Sequence, residues 1–128
     1  MAYVFKRVPS VIRDVPIDVP GLALDAKRPE IKVKYRLRPI SEQRQIFEDQ
    51  RLGKSDDDEL MKQDILDFPG GLTWQDVDDD GEPQGKPYQR EFSPELLAEL
   101  MEIPFFRVAL VQGWLQVQAN AGEARAKN

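Results

Sequence analysis

The chain has 128 residues, of which 41% are hydrophobic and 32% are charged, and its formal net charge is −5. This length fits a single domain, and the hydrophobic fraction is enough for a modest core. The sequence contains neither cysteine nor histidine, which excludes disulfides, thiolate nucleophiles and every metal site or acid–base pair that depends on these residues. The negative net charge argues against a surface that binds nucleic-acid phosphates.

The sequence carries no targeting or membrane signal that we can identify. It has no stretch of about 18 apolar residues, which a membrane-spanning helix would need. Residues 1–7 lack the basic-then-apolar order of a secretory signal. We therefore expect a soluble, cytoplasmic protein.

The first 30 residues are rich in proline and carry β-strand signals. Two β-branched segments, 11–15 and 17–19, are separated by Pro16, which favours an edge strand or a bend. Residues 31–38 alternate apolar and basic side chains, and this alternation predicts a strand with one packed face and one solvated face.

Two helices are predicted to follow this strand. Ser41 is a good N-cap for a helix that ends near Leu52, and its low apolar content predicts a surface position. Ser55 is predicted to begin the second helix. Its first turn holds the four acidic residues 56–59, which the helix dipole favours, and the glycines and proline of residues 69–71 end it.

A hairpin and a second pair of helices complete the predicted elements. Residues 72–77 form a short strand, Asp80-Gly81 is a hairpin turn signal, and the return strand lies within residues 82–92. Ser93 and Pro94 then begin a helix as N-cap and first helical residue.

Pro104 forces a helix restart. The final helix, to about Gln118, has a wide apolar face. Residues 119–128 have no apolar periodicity and are predicted to be a disordered tail. The sequence thus predicts one α+β domain over residues 1–118, with a small antiparallel sheet or hairpins, three to four helices, and a core formed by the C-terminal helical pair.

The last two helices carry more large apolar side chains than a small core needs. An apolar surplus of this kind is typical of a subunit or client contact. The residues that we assign to partner binding are Leu97, Met101, Phe105, Trp114 and Leu115.

Two acidic clusters resemble metal sites, and we reject both. Residues 76–81 match the start of a calcium loop, but the twelfth position, which needs a bidentate glutamate, is Pro87. The acids of residues 56–59 point in different directions around a helix, whereas a magnesium site needs converging oxygens. No nucleophile motif or glycine-rich phosphate loop is present, so we expect no metal, no cofactor and no enzymatic activity.

The basic face of the predicted strand has two possible explanations. Its residues are Lys32, Lys34, Arg36 and Arg38. The favoured explanation is an edge strand that is protected by charge against unwanted pairing, or one that is neutralised by an acidic partner. The alternative is a small nucleic-acid-binding regulator, although Tyr35 lies on the opposite face and offers no stacking partner.

The order of these pieces resembles the tail assembly chaperones of long-tailed bacteriophages of the lambda-like type. The resemblance covers about residues 31–128. It begins with a strand that leads into Leu37-Arg38-Pro39-Ile40-Ser41-Glu42, followed by an acidic helix, by Trp74 and by an acidic turn at residues 78–83. It continues with Phe92-Ser93-Pro94-Glu95-Leu96-Leu97, which leads to Glu102-Ile103-Pro104-Phe105-Phe106, and ends in a tail of small residues.

This resemblance implies a non-enzymatic protein that coats the aggregation-prone tape measure protein and helps to recruit tail tube subunits. It also implies absence from the finished virion and a longer companion product made by ribosomal frameshifting. We further expect the protein to act as a homo-oligomer. Ala126-Lys127-Asn128 can be encoded with the slippery string A-AAA-AAC. A virion structural component, such as a head–tail connector or a tail-terminator subunit, is the main alternative.

Overall fold

The computed structural model describes residues 2–23 and 25–126. In chain order the elements are β1 (Ser10–Pro16), β2 (Glu30–Arg36), α1 (Ile40–Arg51), α2 (Asp57–Asp64), β3 (Ile65–Asp67), β4 (Leu72–Val77), β5 (Pro83–Arg90), α3 (Pro94–Met101) and α4 (Pro104–Ala126). The described strands form an antiparallel sheet in the order β1-β2-β3 and a separate β4-β5 hairpin. The predicted α+β fold class is therefore confirmed.

Strand β2 forms because its side chains alternate between two environments. Val33 and Tyr35 are fully buried, whereas Lys32 points to the exposed face. The sequence suggested that this could be an edge strand, and that expectation is wrong, because β1 and β3 pair with its two sides. Strands β1 and β3 are the edge strands instead, and Pro16, which favours an edge strand, is the last residue of β1.

The first two helices begin at positions that differ from the prediction. The N-cap of α1 is Pro39, which offers no side-chain hydrogen bond, and Ser41 lies inside the helix. Helix α1 contains no buried residue, which confirms its surface position. The N-cap of α2 is Asp56 and not Ser55, because the carboxylate of Asp56 accepts hydrogen bonds from two backbone N–H groups of the first turn.

The chain leaves the helical conformation after Asp64, earlier than predicted. Residues 65–67 form β3, in which Ile65 pairs with Tyr35 and Asp67 pairs with Lys34 of β2. Ile65 is a β-branched residue with a buried side chain. Such residues pack well in a sheet, which favours a strand over a longer helix at this position. Pairing with β2 thus overrides the helical pattern.

The remaining boundaries follow the sequence signals closely, except at the end of the chain. The side chain of Ser93 caps α3 by accepting a hydrogen bond from the N–H of Leu96 at 3.0 Å, and α4 begins at Pro104. Helix α4 continues to Ala126, beyond the predicted end at Gln118 and into the predicted disordered tail. Lys127 and Asn128, the rest of that tail, lie outside the described residues.

The hydrophobic core is shared between the sheet and three helices. Helices α3 and α4 contribute many of its members, including Leu96, Leu100 and Leu110. Val15 and Ile17, from the proline-rich first part of the chain, are also buried in it. The C-terminal pair therefore contributes to the core without forming it alone.

Within the described ranges, no helix combines the length and the apolar character that a membrane crossing requires.

Candidate partner-binding site

The five residues predicted to bind a partner occupy different environments. Leu97 and Met101 of α3 are each 4% exposed, and Trp114 of α4 is fully buried. Phe105 and Leu115 are partly buried and pack against the core. Leu97, Met101 and Trp114 are therefore core residues of the single chain, and the surplus of exposed apolar surface expected from them is not present in the structure.

Trp114 lies at the centre of a buried polar network. Its indole Nε1 donates a hydrogen bond to Oδ2 of Asp64 at 2.7 Å. Asp64 is itself fully buried at the end of α2, and the guanidinium of Arg38 donates two hydrogen bonds to its carboxylate, at 2.6 and 2.8 Å. These bonds raise the pKa of Arg38 above its ordinary value, with the hydrogen bond that it donates to Asp64 as the main cause.

Gln118 extends this network along α4. Its Nε2 donates to the carbonyl of Arg36 at 2.6 Å, and its Oε1 accepts from the backbone N–H of Arg38 at 3.0 Å. Two buried polar residues of the structure, Asp64 and Gln118, thus join α2, α4 and the end of β2. A satisfied buried network of this kind holds the helices in one relative position.

A groove lies between α2 and α3, and we call it the acidic groove. Its volume is about 510 Å³. The apolar lining comes from α3 and consists of Pro94, Leu97, Ala98 and Met101. The charged lining consists of Asp56, Asp58, Glu59, Glu95 and Glu102, with Lys62 as the one cation among the described lining residues.

The carboxylates of the groove differ in whether they already have an ion-pair or hydrogen-bond partner within the chain. Asp58 forms an ion pair with Arg107 at 2.6 Å, and this contact raises the pKa of the Arg107 guanidinium. Asp56 is occupied in capping α2. Glu95 and Glu102 are exposed, and neither forms an ion pair within the described part of the chain. These two side chains are therefore available to a basic ligand.

Phe105 lies in a different place from Leu97 and Met101. It lines a cavity of about 310 Å³ between the start of α4 and the segment around Pro16. Val108, which is 55% exposed, lines the same cavity. Of the five predicted residues, the structure thus brings Leu97 and Met101 together in the acidic groove and places Phe105 elsewhere.

The basic residues of β2 do not form an uninterrupted cationic surface. Lys32 forms an ion pair with Asp14 of β1 at 2.9 Å. Arg36 lies 3.6 Å from the carboxylate of Asp64, which also binds Arg38. Acidic residues of the same chain therefore pair with three of the four basic side chains of this face, Lys32, Arg36 and Arg38.

Sequence reasoning missed two features of this region. One is the acidic groove, since the acids 56–59 were explained by the helix dipole alone. The other is the exposed segment 2–9, in which Tyr3, Val4 and Phe5 are 76%, 83% and 86% exposed. Three consecutive large apolar residues outside any strand or helix were a signal that could have identified it.

The acidic turn of the β4-β5 hairpin has a structural explanation. The carboxylate of Asp78 accepts hydrogen bonds from the backbone N–H groups of Asp80 and Glu82, both at 2.9 Å. Across the ranges that the structure describes, no three acidic side chains are grouped in a way that could hold a metal ion. Comparison with protein-family models, with curated proteins and with solved structures finds no match for this chain.

Proposed function

We propose that this protein is a tail assembly chaperone of a long-tailed bacteriophage, which binds the tape measure protein and assists assembly of the tail tube without chemical catalysis. The sequence resemblance motivates the proposal. The observation that carries it is the acidic groove, whose apolar floor and carboxylate rim suit a client segment that is both apolar and basic. The protein acts in the host cytoplasm and is absent from the finished virion.

The groove is suited to a short stretch of client chain. Helices α2 and α3 have eight residues each, so each is about 12 Å long, which matches about two turns of a client helix. Apolar client side chains contact Pro94 and Ala98, the exposed apolar residues of the lining, with Leu97 and Met101 buried behind them. This contact excludes water and contributes to the affinity. Lysine or arginine side chains beside them pair with Glu95 and Glu102, which adds orientation and speed of association more than affinity.

Co-expression with the tape measure protein of the same phage tests this proposal. We expect the tape measure protein to stay soluble and to co-purify with the chain. Ala98 is an exposed residue of α3 that lines the groove, so Ala98→Arg fills it and adds a positive charge without disturbing the core. We expect this variant to weaken co-purification about tenfold or more, which corresponds to a loss of about 1.4 kcal/mol.

The matched control is Ala119→Arg, which makes the same change at an exposed position of α4. It should leave co-purification unchanged. Equal behaviour of the two variants would reject the groove as the client site. Recovery of the wild-type chain from purified virions would reject the chaperone and favour the alternative of a virion structural component.

The proposed family relationship also makes a prediction about the gene. The slippery codons would encode Ala126, Lys127 and Asn128, and the last two of these lie outside the described residues. We expect the string A-AAA-AAC at these codons and an overlapping downstream reading frame. A synonymous encoding without that string would remove this version of the frameshift.

A further inference from the structure

The segment 2–9 has the chemical character that the acidic groove requires of a ligand. Tyr3, Val4 and Phe5 are exposed, and the two rings pack edge to face with their centroids 4.8 Å apart. Lys6 and Arg7 directly follow Phe5 in the sequence. A contiguous exposed apolar patch of this kind is typical of an interaction site. The segment therefore offers three apolar side chains next to two positive charges.

The surface of the same chain beside Pro9, where this segment ends, does not favour packing of the segment against it. Pro9 is fixed by its carbonyl, which accepts a hydrogen bond from the N–H of Leu37 at 2.9 Å. Arg7 shares a surface cavity with Lys34 and Arg36 of the same chain. The acid there, Glu42, already accepts a hydrogen bond from Arg38. Like charges thus disfavour packing of the segment on its own sheet.

The dimensions of the segment and the groove agree. Five extended residues, such as 3–7, span about 13 Å from the first Cα atom to the last. The groove follows two helices that are each about 12 Å long. The segment can therefore lay Tyr3 and Phe5, which share one side of an extended chain, along the floor of the groove and bring Lys6 and Arg7 to the rim.

We propose that residues 3–7 of one copy bind in the acidic groove of a second copy, so that the protein associates with itself through exchange of this segment. Tyr3 and Phe5, which lie on the same side of the extended segment, contact the floor of the groove at Ala98, its exposed member on α3. Lys6 and Arg7 pair with Glu95 and Glu102. This site is the same as the proposed client site, so that self-association and client binding compete. The self-association can nevertheless be measured on the purified chain without any client.

A charge exchange between two variants tests this inference. The segment variant is Lys6→Glu/Arg7→Glu, and the groove variant is Glu95→Lys/Glu102→Lys. Each variant alone brings like charges together and should be monomeric by analytical ultracentrifugation at concentrations where the wild-type chain associates. In an equimolar mixture every segment meets a groove of opposite charge, so association should return and should require both variants.

Two controls exclude general effects of net charge and of unfolding on the association of these variants. Asp79→Lys/Asp80→Lys makes the same change in net charge as the groove variant, at exposed positions of the hairpin turn, and should leave association unchanged. Circular dichroism establishes that each variant is folded. The groove variant places one lysine in the first turn of α3 and the other next to its last turn, so that the two effects on the helix dipole oppose each other.

A wild-type chain that stays monomeric from micromolar to near-millimolar concentration overturns the inference. So does a mixture of the two variants that fails to associate, or a hairpin control that disrupts association as strongly as the groove variant. Failure of client binding in the co-expression experiment, with charge-dependent self-association intact, would reject the proposed function and leave this inference standing.

Discussion

Asp64 connects parts of the chain that are far apart in sequence. Its carboxylate is fully buried, and it accepts hydrogen bonds from Arg38 before α1 and from Trp114 in α4. A buried carboxylate is costly unless its hydrogen-bonding capacity is satisfied. Here the indole and the guanidinium satisfy it from two sides, so the charge stabilises one arrangement of the helices.

Replacing Asp64 by asparagine tests this role. Asp64→Asn keeps the shape of the side chain but leaves the guanidinium of Arg38 with Glu42, which is partly exposed, as its remaining counter-charge. We expect the free energy of unfolding, measured by urea denaturation, to fall by about 3 kcal/mol. The control is Asp67→Asn at an exposed position of β3, where we expect a change within about 0.5 kcal/mol. Equal effects at the two positions would contradict a structural role for the buried carboxylate.

Tyr35 makes stability depend on pH in the alkaline range. Its hydroxyl donates to the carbonyl of Leu110 at 2.7 Å, and burial raises the pKa of the phenol above its ordinary value of 10.0. The unfolded chain therefore loses this proton at a lower pH than the folded chain. The contribution of Tyr35 to stability is complete below pH 10.0 and is lost as the pH rises through the folded-state pKa.

We expect the free energy of unfolding of the wild-type chain to fall more steeply above pH 10.0 than that of Tyr35→Phe, by up to about 1.4 kcal/mol per pH unit. At pH 7 the wild-type chain should be more stable than the variant, because the variant lacks the hydrogen bond, which is worth about 1 kcal/mol. Parallel pH profiles for the two proteins would show that this phenol does not titrate differently on unfolding.

At the scale of elements, the close contact of α4 with the sheet depends on a glycine. A Cβ atom at Gly113 would lie 2.4 Å from the hydroxyl of Tyr35 and 3.1 Å from a methyl carbon of Val15. Glycine inside a helix normally lowers stability relative to alanine. Here it allows the helix to approach β1 and β2 closely enough for the hydroxyl of Tyr35 to reach a backbone carbonyl of α4.

Gly113→Ala should therefore lower the free energy of unfolding by about 1–3 kcal/mol, although the same change elsewhere in a helix would raise it by up to about 1 kcal/mol. In the Tyr35→Phe background the loss should be smaller, since the closest atom is then absent. A double-mutant cycle from urea denaturation measures this coupling. A stabilising effect of Gly113→Ala in the wild-type chain would contradict the close approach.

The sequence predicts the elements that depend on local signals. Ser93 and Pro94 identify the start of α3, and the alternation of residues 31–38 identifies β2. Prediction from the sequence fails where pairing between segments that are far apart in the chain determines the structure. Residues 65–67 continue a helical pattern but pair with β2, and the position of β2 inside the sheet depends on that same pairing. No local signal reports either contact.

At the scale of the whole molecule, the acidic groove was only partly predictable. The sequence predicts Leu97 and Met101 as partner-binding residues, and both line the groove. The carboxylates opposite them come from α2, and only folding brings them to α3. Trp114 was assigned to the same surface, but its N–H is needed by Asp64 in the core. Apolar composition alone does not distinguish residues that line a binding groove from residues that belong to the core.

The absence of cysteine from the sequence allows a direct measurement of groove occupancy. Ala98→Cys places a single thiol in the acidic groove, and Ala119→Cys places one on the exposed side of α4. The rate of reaction with a maleimide, with and without the co-purified tape measure protein, reports whether each position is covered. Free chains kept dilute enough to be monomeric provide the reference rate.

The chaperone account predicts that the tape measure protein slows the reaction at position 98 about tenfold, as expected when a site is about 90% occupied, and leaves the rate at position 119 unchanged. Equal rates at position 98 with and without a bound tape measure protein would contradict binding in the acidic groove.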